Sequence, residues 1–263
     1  DQAYIEPISK NFNSLNAALG LKTDLNKQAV MRLNLATGFR APNLAELTSD
    51  GVHHGTFRYE IGNVDLKSEH NFQVDLALEY YLSNVELYVN AFYNYIDHYI
   101  FLNPTGSLIE DNPVYEYTQK NANLYGGELG FHFHPQDLTW FHIDNNYEMV
   151  IGKQSSGDYL PFIPAHSLYN TLRVDFKDGK LMNNSSAFVK LKNTFKQQNT
   201  SQFETSTAGY SIVDLGFNTS IDWANAKIDL GVSVTNLLDK TYYSHLSRLK
   251  EVGVYDIGRN IVF

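Results

Sequence analysis

The sequence predicts an all-β chain, an antiparallel transmembrane β-barrel or a large part of one. Three observations predict it. Apolar and polar residues alternate strictly over long stretches, the period of a strand with two unlike faces. Many of these stretches run well past the 5–6 residues usual for globular strands, and reach the ~9–11 that a tilted membrane-spanning strand needs. The connections between them alternate short and long, as tight periplasmic turns and extended outer loops do in outer-membrane barrels.

Taken in order, roughly eleven strands are expected: 12–22, 28–38, 70–82, 85–101, 114–134, 138–151, 167–177, 182–196, 209–221, 226–236 and 257–263. The first two alternate, with noise. In the third, Phe72, Val74, Leu76, Leu78, Tyr80 and Leu82 share one face, and Asn71, Gln73, Asp75, Ala77, Glu79 and Tyr81 share the other. The fourth sets Val85, Leu87, Val89, Ala91 and Tyr93 against Glu86, Tyr88, Asn90, Phe92 and Asn94. The fifth opposes Leu129, Phe131 and Phe133 to Glu128, Gly130, His132 and His134. The sixth and eighth are noisier. The seventh opposes Leu168, Leu172, Val174 and Phe176 to Tyr169, Thr171, Arg173 and Asp175. The ninth and tenth alternate cleanly, as in Ala226, Ile228, Leu230, Val232 and Val234 against Lys227, Asp229, Gly231, Ser233 and Thr235. Short connections fall at 24–27, 83–84, 135–137, 178–181 and 222–225. Long ones fall at 39–69, 102–113, 152–166, 197–208 and 237–256.

A soluble antiparallel sheet also alternates when one face is wet. Here the apolar face is continuous and aromatic-rich, while the other carries Glu, Asp, Asn and Arg. That is apolar-out and polar-in, the polarity of a membrane barrel with a watery lumen. Tyr80, Tyr93, Tyr95, Phe133, Phe176 and Phe217 then read as an interfacial girdle. Tyr88 and Tyr169 fall on the inner face, packing the wall or lining a ligand path. Bland mean hydropathy (−0.32) fits strands of two faces, and no run of about 18 apolar residues offers a membrane helix.

Composition excludes other classes. With 29 acids against 20 bases the chain carries a formal charge of −9, so nucleic acid is not an expected partner. The absence of cysteine removes disulfide scaffolds, thiolate catalysis and Cys-ligated metals. No metalloprotease helix, P-loop or nucleophile elbow occurs, and Glu110-Asp111 reads as solvated loop charge. The chain is not expected to be an enzyme, and no resident cofactor is expected. Asp1-Gln2-Ala3-Tyr4 does not open like a signal peptide. Single-chain bacterial barrels have even strand numbers, and an open sheet would leave bare edges in lipid. The odd count therefore predicts part of a larger barrel.

Several segments, in order, resemble the TonB-dependent outer-membrane receptors. They are Thr37-Gly38-Phe39-Arg40-Ala41-Pro42-Asn43-Leu44-Ala45-Glu46-Leu47, Gly62 to Glu69, Tyr93 to Ile100, Asn121-Ala122 with Gly126-Gly127-Glu128, Val234 to Tyr242 with Asn236 and Asp239, and Gly258-Arg259-Asn260. The resemblance implies a barrel of about 22 strands around a plug. Residues 1–263 would be its C-terminal portion, with the plug domain and first strands absent and the last strand clipped at Phe263. It also implies TonB-dependent import of a scarce nutrient across the bacterial outer membrane. The partners implied are the TonB energy-coupling protein, acting through the missing plug, outer-membrane lipid, and a metal or metal-chelate ligand such as a ferric siderophore, haem or zinc. A passive porin or adhesin-like barrel is the alternative.

Within these motifs, Gly38 and Pro42 bracket a strand exit. Arg40 either pairs with a wall or plug carboxylate or stands as a solvated rim cation. Glu46, Gly258 and Arg259 belong to the motifs as structural positions. Asn236 and Asp239 are expected to hold a turn. Gly126-Gly127 mark a kink, a close approach to the plug, or a bulge. The metal candidates lie in Asp50-Gly51-Val52-His53-His54-Gly55-Thr56-Phe57-Arg58-Tyr59-Glu60. Imidazole and carboxylate suit zinc and other borderline metals, which nominates His53, His54 and Glu60, then Asp50; the alternative is two solvated loop histidines. The run also resembles the zinc-uptake subgroup. His132, His134 and His142 share the inner face near the periplasmic end, touching plug or lumen water or forming a metal relay.

Overall fold

The computed structural model describes residues 9–223 and 226–263. The expected turn at 222–225 lies partly outside them. The elements in chain order are β1 (Ala18–Asp24), β2 (Ala29–Arg40), α1 (Leu44–Thr48), β3 (Asp50–His53), β4 (Arg58–Ile61), β5 (Glu69–Tyr81), β6 (Val85–Ile109), β7 (Asn112–Phe133), β8 (Phe141–Gln154), β9 (Ser167–Asp175), β10 (Met182–Thr194), β11 (Tyr210–Trp223), β12 (Ala226–Thr235) and β13 (Asn260–Val262). Two 3-10 turns, Gln136–Leu138 and Lys250–Val252, complete the list.

Eleven strands form one antiparallel meander, β1-β2-β5-β6-β7-β8-β9-β10-β11-β12-β13. β3 and β4 bring the sheet to 13 strands. The sheet does not close: among the described residues β1 pairs only with β2, and β13 only with β12.

Register carries the alternation across the wall. Leu172 sits opposite Val189, Val189 opposite Leu215, Leu215 opposite Val234 and Val234 opposite Ile261. A one-residue slip would turn that whole row inward. Leu172 and Ile261 remain 47% and 54% exposed, as a lipid-facing row must be when no lipid is present. Asn145 and Asn170 fall within the outward rows of β8 and β9 and hydrogen-bond each other at 2.6 Å. Pairing limits the cost of an amide in hydrocarbon. The opposite face is charged, as in the Arg32–Glu79 pair.

Two sequence expectations are corrected. The segment 102–113 is not a long loop, because β6 and β7 run on through it to a two-residue turn at Glu110-Asp111. Both turn residues have positive φ (49° and 61°), the requirement of a tight hairpin turn. Pro104, Gly106 and Pro113 suggested a loop, but a register shift between Pro104 and Leu108 absorbs them. Gly126-Gly127 is not a bulge, because pairing with β6 and β8 is unbroken there. A Cβ on Gly126 would strike the Met149 carbonyl, and one on Gly127 the Asn90 carbonyl. Only glycine lets the three strands approach so closely.

Buried apolar residues gather under the loops. Leu47 and Leu66 pack on Ile100 and Tyr117, on one face of the extended β6–β7 hairpin. Leu160 and Ile163 pack on Phe101 and Ala122, on the other. The hairpin is thereby fixed between the 41–68 and 155–166 segments.

Candidate functional site

The long connections all emerge at one end of the sheet. There α1 is tied down by charge. Arg40, the last residue of β2, donates to both oxygens of Glu46 (2.8 and 2.9 Å) and to both of Glu69 (2.9 and 2.6 Å). Asn43 caps α1 through the Glu46 N–H at 2.9 Å, while Glu46 accepts from the Asn43 N–H at 2.8 Å, a reciprocal capping box. Glu69 also accepts from the Ile100 N–H at 2.6 Å, which joins β5 to β6. Pro42 lies between β2 and α1, where the chain leaves the ladder.

The β3–β4 hairpin then crosses to the far edge of β7, where β4 pairs in parallel with Val114–Glu116. His53 ends β3 opposite Arg58, with Nδ1 3.2 Å from the Thr56 hydroxyl. His54 sits exposed in the turn. Glu60 is buried and accepts from Arg58 Nε at 2.8 Å and from the Tyr117 hydroxyl at 3.2 Å. Asp50 accepts from the Tyr59 hydroxyl at 2.7 Å, which holds that phenol above its ordinary pKa. The hairpin thus brings the four nominated residues onto one short element but gives both carboxylates other partners. Among the described residues no group of three or more His, Asp or Glu side chains is arranged to hold a metal ion.

A second knot, with no local signature in the sequence, joins three loops. Glu204 accepts from the Phe162 N–H (2.8 Å) and the Ser201 N–H (3.1 Å), and its Oε1 lies 3.1 Å from His245 Nε2. The other His245 nitrogen is 2.8 Å from the Thr207 hydroxyl. Both side chains are buried. Burial alone would raise the Glu204 carboxyl, but the His245 contact and the two N–H donors outweigh it and hold the pKa below its ordinary value. Lys250 donates to the Thr205 carbonyl at 2.7 Å and the Thr207 hydroxyl at 3.1 Å. A cavity of about 70 Å³ beside the knot is lined by Arg58, Tyr115, Phe162, Phe203 and Arg248, with the Arg58 guanidinium 4.9 Å above the Tyr115 ring.

The late motif is interlocked at the same end. Asn236 is buried at positive φ, donates to the Lys240 carbonyl (2.9 Å) and accepts from the Lys240 N–H (2.8 Å). Asp239 accepts from the Arg259 N–H at 2.8 Å, and Arg259 Nε donates to the Leu237 carbonyl at 2.9 Å. A Cβ on Gly258 would come within 2.8 Å of the Asp239 carboxylate. A Cβ on Gly38 would strike the Asn71 side-chain oxygen still more closely, across β2 and β5.

Below the loops, the inner face holds a concavity of about 670 Å³ lined by Asp75, Asn90, Phe92, Glu128 and Glu148. Glu128 and Glu148 are direct cross-strand partners, and Glu148 accepts from the Tyr169 hydroxyl at 2.8 Å. The upper cavity thus presents cations and rings beside Glu204 and Glu251, and the concavity below presents carboxylates among apolar residues.

Residues 2–237 match the family model for the TonB-dependent receptor-like β-barrel. The chain belongs to this receptor-barrel family. Members lie in the outer membrane of Gram-negative bacteria. Similar solved structures include the copper transporter OprC, with a TM-score of 0.75, 19% identity, and coverage of 93% of this chain and 38% of that one. The FrpB iron transporter from Neisseria meningitidis gives 0.63, 14%, 94% and 38%. The ferric enterobactin receptor PfeA from Pseudomonas aeruginosa gives 0.63, 19%, 94% and 39%. At these identities the likeness establishes the fold. This receptor barrel therefore spans under two-fifths of the length of the structures it matches.

Proposed function

We propose that this receptor barrel is the C-terminal portion of a TonB-dependent importer that carries a metal or metal chelate across the outer membrane. The observation that carries the reading is the family match over residues 2–237, joined to a sheet whose long connections converge at one end. The coverage of the matched structures and the two single-paired edge strands support placing the plug and first strands elsewhere in the full protein. Import then needs the plug and the TonB energy-coupling protein as partners. The named cargoes of the similar structures, copper, iron and ferric enterobactin, favour a metal over a sugar or vitamin.

For capture we propose His53 and His54 as the first donors, since they stand at the hairpin tip. Glu60 and Asp50 join them only by exchanging Arg58 and Tyr59 for the ion. The test is metal binding by detergent-purified protein with His53→Ala/His54→Ala beside it. Weaker zinc binding in the double variant is expected; unchanged affinity dismisses the loop site. Wild-type cells that accumulate no metal through the protein dismiss the import reading itself.

A further inference from the structure

At the short-turn end of the lumen, far from the loops, three imidazoles meet. His132 Nε2 and His142 Nδ1 face each other at 3.4 Å. The ring centroids are 5.4 Å apart and the planes 26° from parallel. His134 lies against His132 with centroids 5.0 Å apart. On the far side of His132, Nδ1 is 2.5 Å from Asp144 Oδ1. On the far side of His142, Nε2 is 3.0 Å from Asp175 Oδ2.

Each carboxylate attracts a proton to the ring nitrogen nearest it, at His132 through a hydrogen bond and at His142 by charge alone. That leaves lone pairs on the two nitrogens that face each other. Two lone pairs at this separation repel unless a proton or a metal ion lies between them, and a metal ion can take the proton's place. The separation is informative: two Zn–N bonds of 2.0–2.1 Å opening at the tetrahedral angle place their nitrogens about 3.3–3.4 Å apart. A carboxylate behind each ligating imidazole is the usual outer support of a histidine–metal bond. Charge agrees, since among the described residues Asp144 and Asp175 face one close cation, Arg173, at 3.1 Å from Asp175. Lys190 shares a recess of about 320 Å³ with His132 and Asp144 but is turned over the Tyr169 ring, 5.1 Å from its centroid. His134 Nδ1, beside the two facing imidazoles, is buried without an aligned hydrogen-bond partner, and such an orphan calls for a water or an ion.

We infer that His132 and His142 form a binding site for a borderline divalent ion such as zinc on the lumen wall. With two protein donors the ion keeps water in its remaining positions, so the site exchanges readily and suits an ion in transit. That role rests on the metal-cargo reading above; the site itself does not.

The test is a zinc titration of the protein extracted from outer membranes, in the His53→Ala/His54→Ala background so that loop binding is silent. X-ray absorption at the zinc edge reports imidazole ligation. Barrel integrity is read from heat-dependent gel mobility. One zinc-binding event with imidazole scattering is expected. It is lost in His132→Ala and in His142→Ala, and weakened about 10–100-fold in Asp144→Asn, which keeps the side-chain shape. A folded parent that binds no zinc overturns the proposal. So does zinc binding unchanged in all three variants. Cellular metal uptake is measured separately, so failed transport with intact zinc binding rejects the cargo reading and leaves the site standing.

Discussion

Arg40 sets how the loop end is held. Its fork spans two nearly buried carboxylates, Glu46 on α1 and Glu69 on β5. Removing it leaves two nearly buried carboxylates without their cation and with one backbone N–H each, which costs about 1–3 kcal/mol locally. Arg40→Gln should therefore speed hydrogen exchange at the Asn43 and Ile100 amides while the mid-strand amides stay protected. Arg40→Lys should recover only part, because an ammonium cannot reach both carboxylates as a planar fork does. Glu204 gives a pH dependence. Its folded pKa is depressed, so its contribution is complete above the ordinary value of 4.5 and is lost as pH falls through the lower folded value. Exchange at the Phe162 and Ser201 amides should rise in acid below that range. Glu204→Gln should flatten the profile.

Among elements, the strands divide lipid from lumen by parity alone. Leu172 and Thr171 are neighbours in β9 on opposite faces. Leu172→Arg should cost up to about 2–4 kcal/mol in bilayer unfolding, the upper range for a charge on the lipid face, and Thr171→Arg much less. Equal costs would mean that the faces are misassigned. Gly126→Val should lower the folded fraction, by a destabilisation of about 1–3 kcal/mol as for overpacked sites, since its side chain meets the β8 backbone. The meander strands were legible in sequence because period-two alternation survives wherever one face meets lipid. Three features were not. β3 and β4 are four residues each and lie among Gly and His, too short for a period to show. The β6–β7 extension hides behind Pro104, Gly106 and Pro113. The Glu204–His245 knot joins residues on different loops, and only the folded sheet brings those loops together. Of the nominated donors, the sequence supplied the types, but Asp50 is held by Tyr59 within the β3–β4 hairpin, and Glu60 by Arg58 of its own strand and by Tyr117, which β4 packing on β7 brings to it.

At the scale of the whole chain, an apolar outer face, a charged inner face and loops converging at one end form the wall of the proposed importer. Its two single-paired edges require further strands in a membrane. The mouth gathers Arg58 and Arg248, the concavity beneath it Asp75, Glu128 and Glu148, and the short-turn end the histidines. That order of chemistries is what the proposed import of a metal or metal chelate would use. The most direct measurement is accumulation of radiolabelled zinc and of ferric chelate by cells that express the full protein, with and without TonB. The account predicts uptake of at least one of them that disappears when TonB is removed. Uptake that is equal in both strains would mark a passive pore and contradict the account.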